Sequence, residues 1–135
     1  MNWSRPLTFA PNRVWRCYTG GVLLDRFVGN PSPADGHFPE DWLASTVPAI
    51  NGEHSQGPDE GLAKLQNDQG GNGPTLAAAL ADHGRDLLGA AHFEKYGPDL
   101  GLLCKYLDSA VRLPIQCHPD RPIARALYHS EFGKT

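Results

Sequence analysis

Gln116 and His118 are the residues of this chain whose types and spacing most directly suggest chemistry. They stand two apart in RLPIQCH, Arg112 to His118, an alternating run that reads as a strand, so both side chains leave it on one face. An amide oxygen and an imidazole nitrogen presented together make one side of a metal site. Taken alone, the pair is more often two hydrogen-bonded strand residues than a metal pair, because glutamine is an infrequent ligand. Cys117 points to the opposite strand face, which predicts a thiol packed in a layer behind the pair.

The surrounding elements must position that strand. Pro119 and Asp120 end it and open a short helix around 120–131, with Ile123, Ala126 and Leu127 on one side and Gly133 as its stop. Lys134 and Thr135 follow. Upstream, LGLLCKYLD at Leu100 to Asp108 reads as a buried strand, and its one lysine, Lys105, needs either a polar cavity or an edge to snorkel from. The lysine's apolar neighbours favour the cavity. The clearest helix spans about 75–88: Thr75 is its N-cap, Leu76, Leu80, His83 and Leu87 share a face, and Gly89 closes it. His83 is read there as structural, as are His92 and the loop histidines His37 and His54.

Nearer the start, RVWRCYTGGVLL at Arg13 to Leu24 reads as two short strands around Gly20 and Gly21, with Trp15 in the core. Gly29 to Pro39 is a loop by its proline and glycine content, and it delivers the chain to EDWLAST, a further strand led by Glu40 and Asp41. Residues 51–74 are the most polar stretch and read as a long surface loop with one pinned turn at GLAKL.

Composition narrows the function classes. Twelve Lys and Arg against fifteen Asp and Glu give a formal charge of -3, with no basic run to track phosphates, so nucleic acid is a poor partner. No run of about 18 apolar residues could span a bilayer and no signal-peptide core is present, which predicts a cytoplasmic protein without a membrane partner. Cys17, Cys104 and Cys117 have no Cys-x-x-Cys pairing, so a disulfide framework and a zinc finger are both unsupported. A length of 135 residues suits one domain, while 15 Gly and 12 Pro argue against a helical bundle.

Several separated pieces then occur in a telling order: RVWRCYTGG, HFPEDWLAS, EGLAKL, the helix ending in LLG, LLCKYLDSAVRLPIQCHPD, and YHSEFGKT. Together they resemble the N-terminal part of the type I mannose-6-phosphate isomerases, zinc enzymes of the cupin superfamily. The resemblance implies a mainly β fold with helical insertions, an incomplete jelly-roll sandwich forming the N-terminal part, 1–135, of a single isomerase domain. It implies zinc as cofactor and a small sugar phosphate as partner. Gln116 and His118 match two zinc ligands; the family's other two, a Glu directly after Gly-Lys-Thr and a distant His, have no counterpart in these residues, so the segment is expected to be inactive alone. Lys134 matches a lysine beside the metal and is the candidate catalytic residue. Lys105, Glu40 and Trp15 match substrate-pocket positions. Pro114 stands where the family has Ser or Thr, which removes a hydroxyl and leaves a non-catalytic sugar-phosphate-binding or regulatory cupin as the alternative.

Overall fold

A computed structural model of the chain describes residues 3, 5–67, 70–130 and 133. These form two small antiparallel sheets and four α-helices, a mixed α/β arrangement rather than the mainly β sandwich expected. The larger sheet has three strands in the order β1 (Arg13–Val14), β2 (Glu40–Leu43), β5 (Cys104–Leu107). The smaller pairs β3 (Lys64–Gln66) with β4 (Asn72–Thr75). Val14, Trp42, Ala63, Leu65, Leu76, Ala79 and Leu80 make the core.

Local chemistry explains where the elements end. Strand β1 stops after two residues because the next backbone donors go elsewhere: Trp15 N–H donates to Glu60 Oε1 (2.9 Å) and Arg16 N–H to the His37 carbonyl (2.8 Å). The second strand expected after Gly21 is instead helix α1, Val22–Phe27. Its first free N–H groups are taken by distant carboxylates, Val22 by Asp35 (3.1 Å) and Leu23 by Asp108 (2.6 Å). Those caps satisfy donors that would otherwise be orphaned at a helix start, and they override the β-branched pattern. Gly20 fits between the flanking segments because a Cβ there would collide with the Asp108 carbonyl.

The polar stretch 51–74 is more structured than a surface loop. Ala63 and Leu65 are almost wholly buried, and β3 and β4 form a hairpin with a register shift between Lys64 and Gln66. A single 3₁₀ turn, Gly52–His54, interrupts the remainder. The hairpin leads into α2, Leu76–Leu88, where the Thr75 hydroxyl accepts from Ala78 N–H (3.2 Å) as an N-cap should. Leu76, Ala79, Leu80 and Gly84 are its buried positions, and the helix kinks at His83. His83 is therefore exposed rather than part of the apolar stripe, with its ring 4.9 Å from that of Trp3. Gly84 admits helix α3, Ala90–Tyr96, since a Cβ there would meet the Phe93 ring at 2.6 Å.

The last third departs furthest from expectation. Strand β5 is exposed along its length and lies at the sheet edge, so Lys105 is not in a buried strand. Residues 112–118 form no strand: Pro114 withholds a ladder donor, and no described strand pairs with this run. Helix α4, Arg121–Tyr128, has the expected Asp120 cap, which accepts from Ile123 N–H (2.9 Å). It ends at His129 in the left-handed region (φ 50°), before Gly133 is reached, and Ala124 is its buried residue while Ile123 and Leu127 are exposed. All three cysteines are exposed free thiols, which corrects the packed thiols expected of Cys17, Cys104 and Cys117.

Candidate functional site

Antiparallel pairing of β2 with β5 sets the geometry of the principal site. Trp42 lies opposite Lys105 and Glu40 opposite Leu107. Glu40 and Trp42, two apart, share a sheet face, and Lys105 reaches diagonally across it to Glu40. Lys105 Nζ stands 2.9 Å from Glu40 Oε1 in an ion pair whose carboxylate side chain is only 3% exposed. The polar cavity expected around Lys105 is not found: the lysine lies on an exposed edge strand and its partly open ammonium pairs with Glu40.

Three further groups donate to Glu40. The Tyr18 hydroxyl donates a short hydrogen bond to Oε1. Oε2 accepts from Trp42 Nε1 at 2.7 Å and from Arg16 Nε at 3.0 Å. Burial alone would raise the Glu40 carboxyl, but the donors from Tyr18, Trp42 and Lys105 together with the Arg16 charge outweigh it and hold the pKa at about 2. The same geometry pushes Tyr18 well above the usual phenol range, through burial first and then the adjoining carboxylate, so it remains a neutral donor.

Arg16 links this cluster to a second buried acid. Its guanidinium lies 4.7 Å from the centre of the Trp42 ring and donates to the Trp15 carbonyl (2.8 Å) and to Asn51 Oδ1 (3.3 Å). Asn51 Nδ2 in turn donates to Glu60 Oε1 (2.9 Å), while Gln56 N–H donates to Glu60 Oε2 (2.9 Å). Burial opposes ionisation of Glu60, yet these donors and the Trp15 N–H win and lower its pKa. Trp15 is half-buried between two imidazoles, His54 at 4.2 Å and His37 at 5.5 Å between ring centres, both nearly parallel to the indole. It is not the core residue of the strand reading.

Sequence reasoning reached Glu40, Lys105 and Trp15 but not Tyr18, Arg16, Asn51 or Glu60. A signal for two of them existed: Arg16 and Tyr18 are polar residues two apart in an apolar, strand-like run, a pattern that calls for a partner. Asn51 and Glu60 had none, lying in a stretch whose polarity reads as solvent exposure.

The other predicted residues sit elsewhere. Gln116 is exposed in the irregular run, and His118 borders a separate groove of about 450 Å³ shared with Thr46, Asp99, Leu102 and Arg121. Gly133 closes that groove by packing on the backbone of Asp120 and Arg121, where a Cβ would collide. Neither Glu40 nor Lys105 lines it. Lys134 lies outside the described residues. The donor types of Gln116 and His118 suit zinc, but no group of three or more His, Cys, Asp or Glu side chains converges among the described residues. The two donor types fit the ion, and further donors are needed to close a zinc site around Gln116 and His118.

Most of the chain has a counterpart in a curated protein. The chain is similar to a mannose-6-phosphate isomerase. It is 36% identical over 109 residues, 81% of its length, to Mannose-6-phosphate isomerase 1 of Arabidopsis thaliana. Those residues are 24% of that relative, so the chain spans about a quarter of the length of the isomerase it matches. The similarity supports that family. No family profile matches the chain, and no solved structure matches it. No helix among the described residues is long and apolar enough to cross a membrane.

Proposed function

We propose that this chain is the N-terminal part of a zinc-dependent, cytoplasmic mannose-6-phosphate isomerase of the cupin superfamily, interconverting mannose 6-phosphate and fructose 6-phosphate through an enediol. The observation that carries the reading is the 36% identity over 109 residues to an isomerase of that name. The Glu40 and Lys105 pair supports it, because two residues matched to substrate-pocket positions stand in direct contact.

Moving a proton between C1 and C2 develops negative charge on oxygen next to an already anionic phosphate. Lys105, held at the margin of the sheet, supplies a cation that can neutralise either charge. Gln116 and His118 would be two of the zinc donors, and zinc when bound supplies the positive charge that polarises substrate oxygens. Lys134, next to them in the family pattern, is the candidate for proton transfer. The non-catalytic sugar-phosphate-binding alternative rests on Pro114 alone and is not favoured by the similarity.

The test is a coupled assay for fructose 6-phosphate, using the polypeptide as its own gene expresses it, purified and supplied with zinc. Conversion of mannose 6-phosphate, lowered but still measurable in Lys105→Met, is expected. A folded, zinc-supplied protein that isomerises no hexose phosphate would contradict the proposal.

A further inference from the structure

The resemblance places Glu40 among substrate-binding residues, but its surroundings leave it no capacity for that task. A carboxylate offers about four lone-pair positions. All are taken: Oε1 accepts from Tyr18 and Lys105, and Oε2 from Arg16 and Trp42. The carboxylate side chain is 3% exposed, whereas that of Lys105 is 34% exposed. Any substrate group arriving from solvent therefore meets the ammonium before it could meet the acid. Lys105 spends one of its three N–H donors on Glu40 among the described residues, and its side chain is partly open to solvent.

We infer that Glu40 is a positioning residue: clamped by Tyr18, Arg16 and Trp42 within the sheet face, it holds the Lys105 ammonium at the solvent margin, where an anionic group of the substrate engages Lys105 and not Glu40. Arg16 and Tyr18 are positioning residues in the same sense, one step further back. Arg16 fixes Oε2 and rests on the Trp42 ring, which turns Oε1 toward Lys105. Tyr18 shares that oxygen and prevents the carboxylate from rotating away. A lysine at position 16 could not reproduce this arrangement, because a single ammonium lacks the planar fork that bridges Glu40, the Trp15 carbonyl and Asn51. The identity of the anionic group, a sugar phosphate or its enediolate, rests on the isomerase reading; the positioning role does not.

Two measurements on the protein as its gene expresses it decide the matter. In competitive acetylation read by mass spectrometry, Lys105 should react several-fold more slowly than the exposed Lys95, and Glu40→Gln should abolish that protection. Tyr18→Phe, which keeps the ring, is expected to weaken it in part and serves where Glu40→Gln does not fold. Unchanged Lys105 reactivity in a folded Glu40→Gln or Tyr18→Phe protein would overturn the inference. The second measurement is a double-mutant cycle on the KM and kcat for mannose 6-phosphate. Glu40→Gln alone should cost on the order of tenfold or more in kcat/KM, as expected for a charged hydrogen bond, yet cost nothing further in a Lys105→Met background. Additive losses would mean that Glu40 touches the substrate itself and would refute the assignment. A wild-type protein without isomerase activity would count against the proposed function alone, because the acetylation result still decides the role of Glu40.

Discussion

The sheet face around Glu40 and the run 112–118 both carry residues matched to an isomerase site, yet they are built to opposite degrees. Around Glu40 four donors occupy the carboxylate, the acid is buried, and the backbone is fixed by β2 and β5 pairing over four residues. In the other region Gln116 is exposed, Ile115 is 95% exposed and no strand forms. The difference lies in what holds each group. A carboxylate can be fixed by hydrogen bonds from its own sheet and the segment beside it, whereas a metal-ligand pair gains its order from the ion and the remaining donors.

Stability should divide the two regions most sharply. Glu40→Ala strands two cations and two buried donors, and urea denaturation should show a loss of about 3–5 kcal/mol, as for a broken buried ion pair. His118→Ala, at an exposed position, should change the unfolding free energy by less than about 0.5 kcal/mol. Comparable losses in both variants would erase the distinction.

Acid titration sharpens the same contrast. The Glu40 carboxyl titrates near 2 in the folded protein against 4.5 for an ordinary glutamate, so its contribution is complete above about pH 4.5. It is lost as the pH falls toward 2, because the unfolded chain then binds the proton more readily. Unfolding free energies measured across that window should fall by up to about 3 kcal/mol in the wild type, and by visibly less in Glu40→Gln. A wild-type curve parallel to that of Glu40→Gln would contradict the assigned environment.

Zinc reverses the ranking of the regions. Measured by equilibrium dialysis on the polypeptide as its gene expresses it, His118→Ala should lower zinc affinity by at least tenfold, while Lys105→Met leaves it within about twofold. Unchanged zinc binding in His118→Ala would return that histidine to a purely structural role.

Helix capping gives the smallest effect and a calibration. Thr75→Ala and Asp120→Ala each remove one N-cap acceptor and should each cost about 1 kcal/mol in thermal or urea unfolding. A much larger loss at Asp120 would show that α4 supports more of the fold than its one buried residue, Ala124, suggests.

How far each feature was legible follows from the range of the forces that fix it. Helix α2, with its Thr75 cap and Gly89 stop, was readable because capping and periodicity are local, and β2 was readable from EDWL for the same reason. Helix α1 was not, since Asp35 and Asp108 cap it from distant parts of the chain. The kink at His83 took that residue off the stripe that its spacing assigned it to. In the site, Lys105 announced its need for a partner by standing in an apolar run, but nothing local named Glu40 as that partner. Glu60 and Asn51 stayed hidden because a buried polar network and a solvated loop have the same composition; only the tertiary contacts separate them.

The most direct test of the central claim is to incubate the zinc-supplied protein, as its gene expresses it, with mannose 6-phosphate in D₂O and follow the sugar by NMR. Reaction through an enediol predicts the appearance of fructose 6-phosphate with deuterium entering at C1, and of deuterium at C2 in recovered mannose 6-phosphate. Mannose 6-phosphate recovered unchanged and free of deuterium from a folded, zinc-supplied protein would contradict the account.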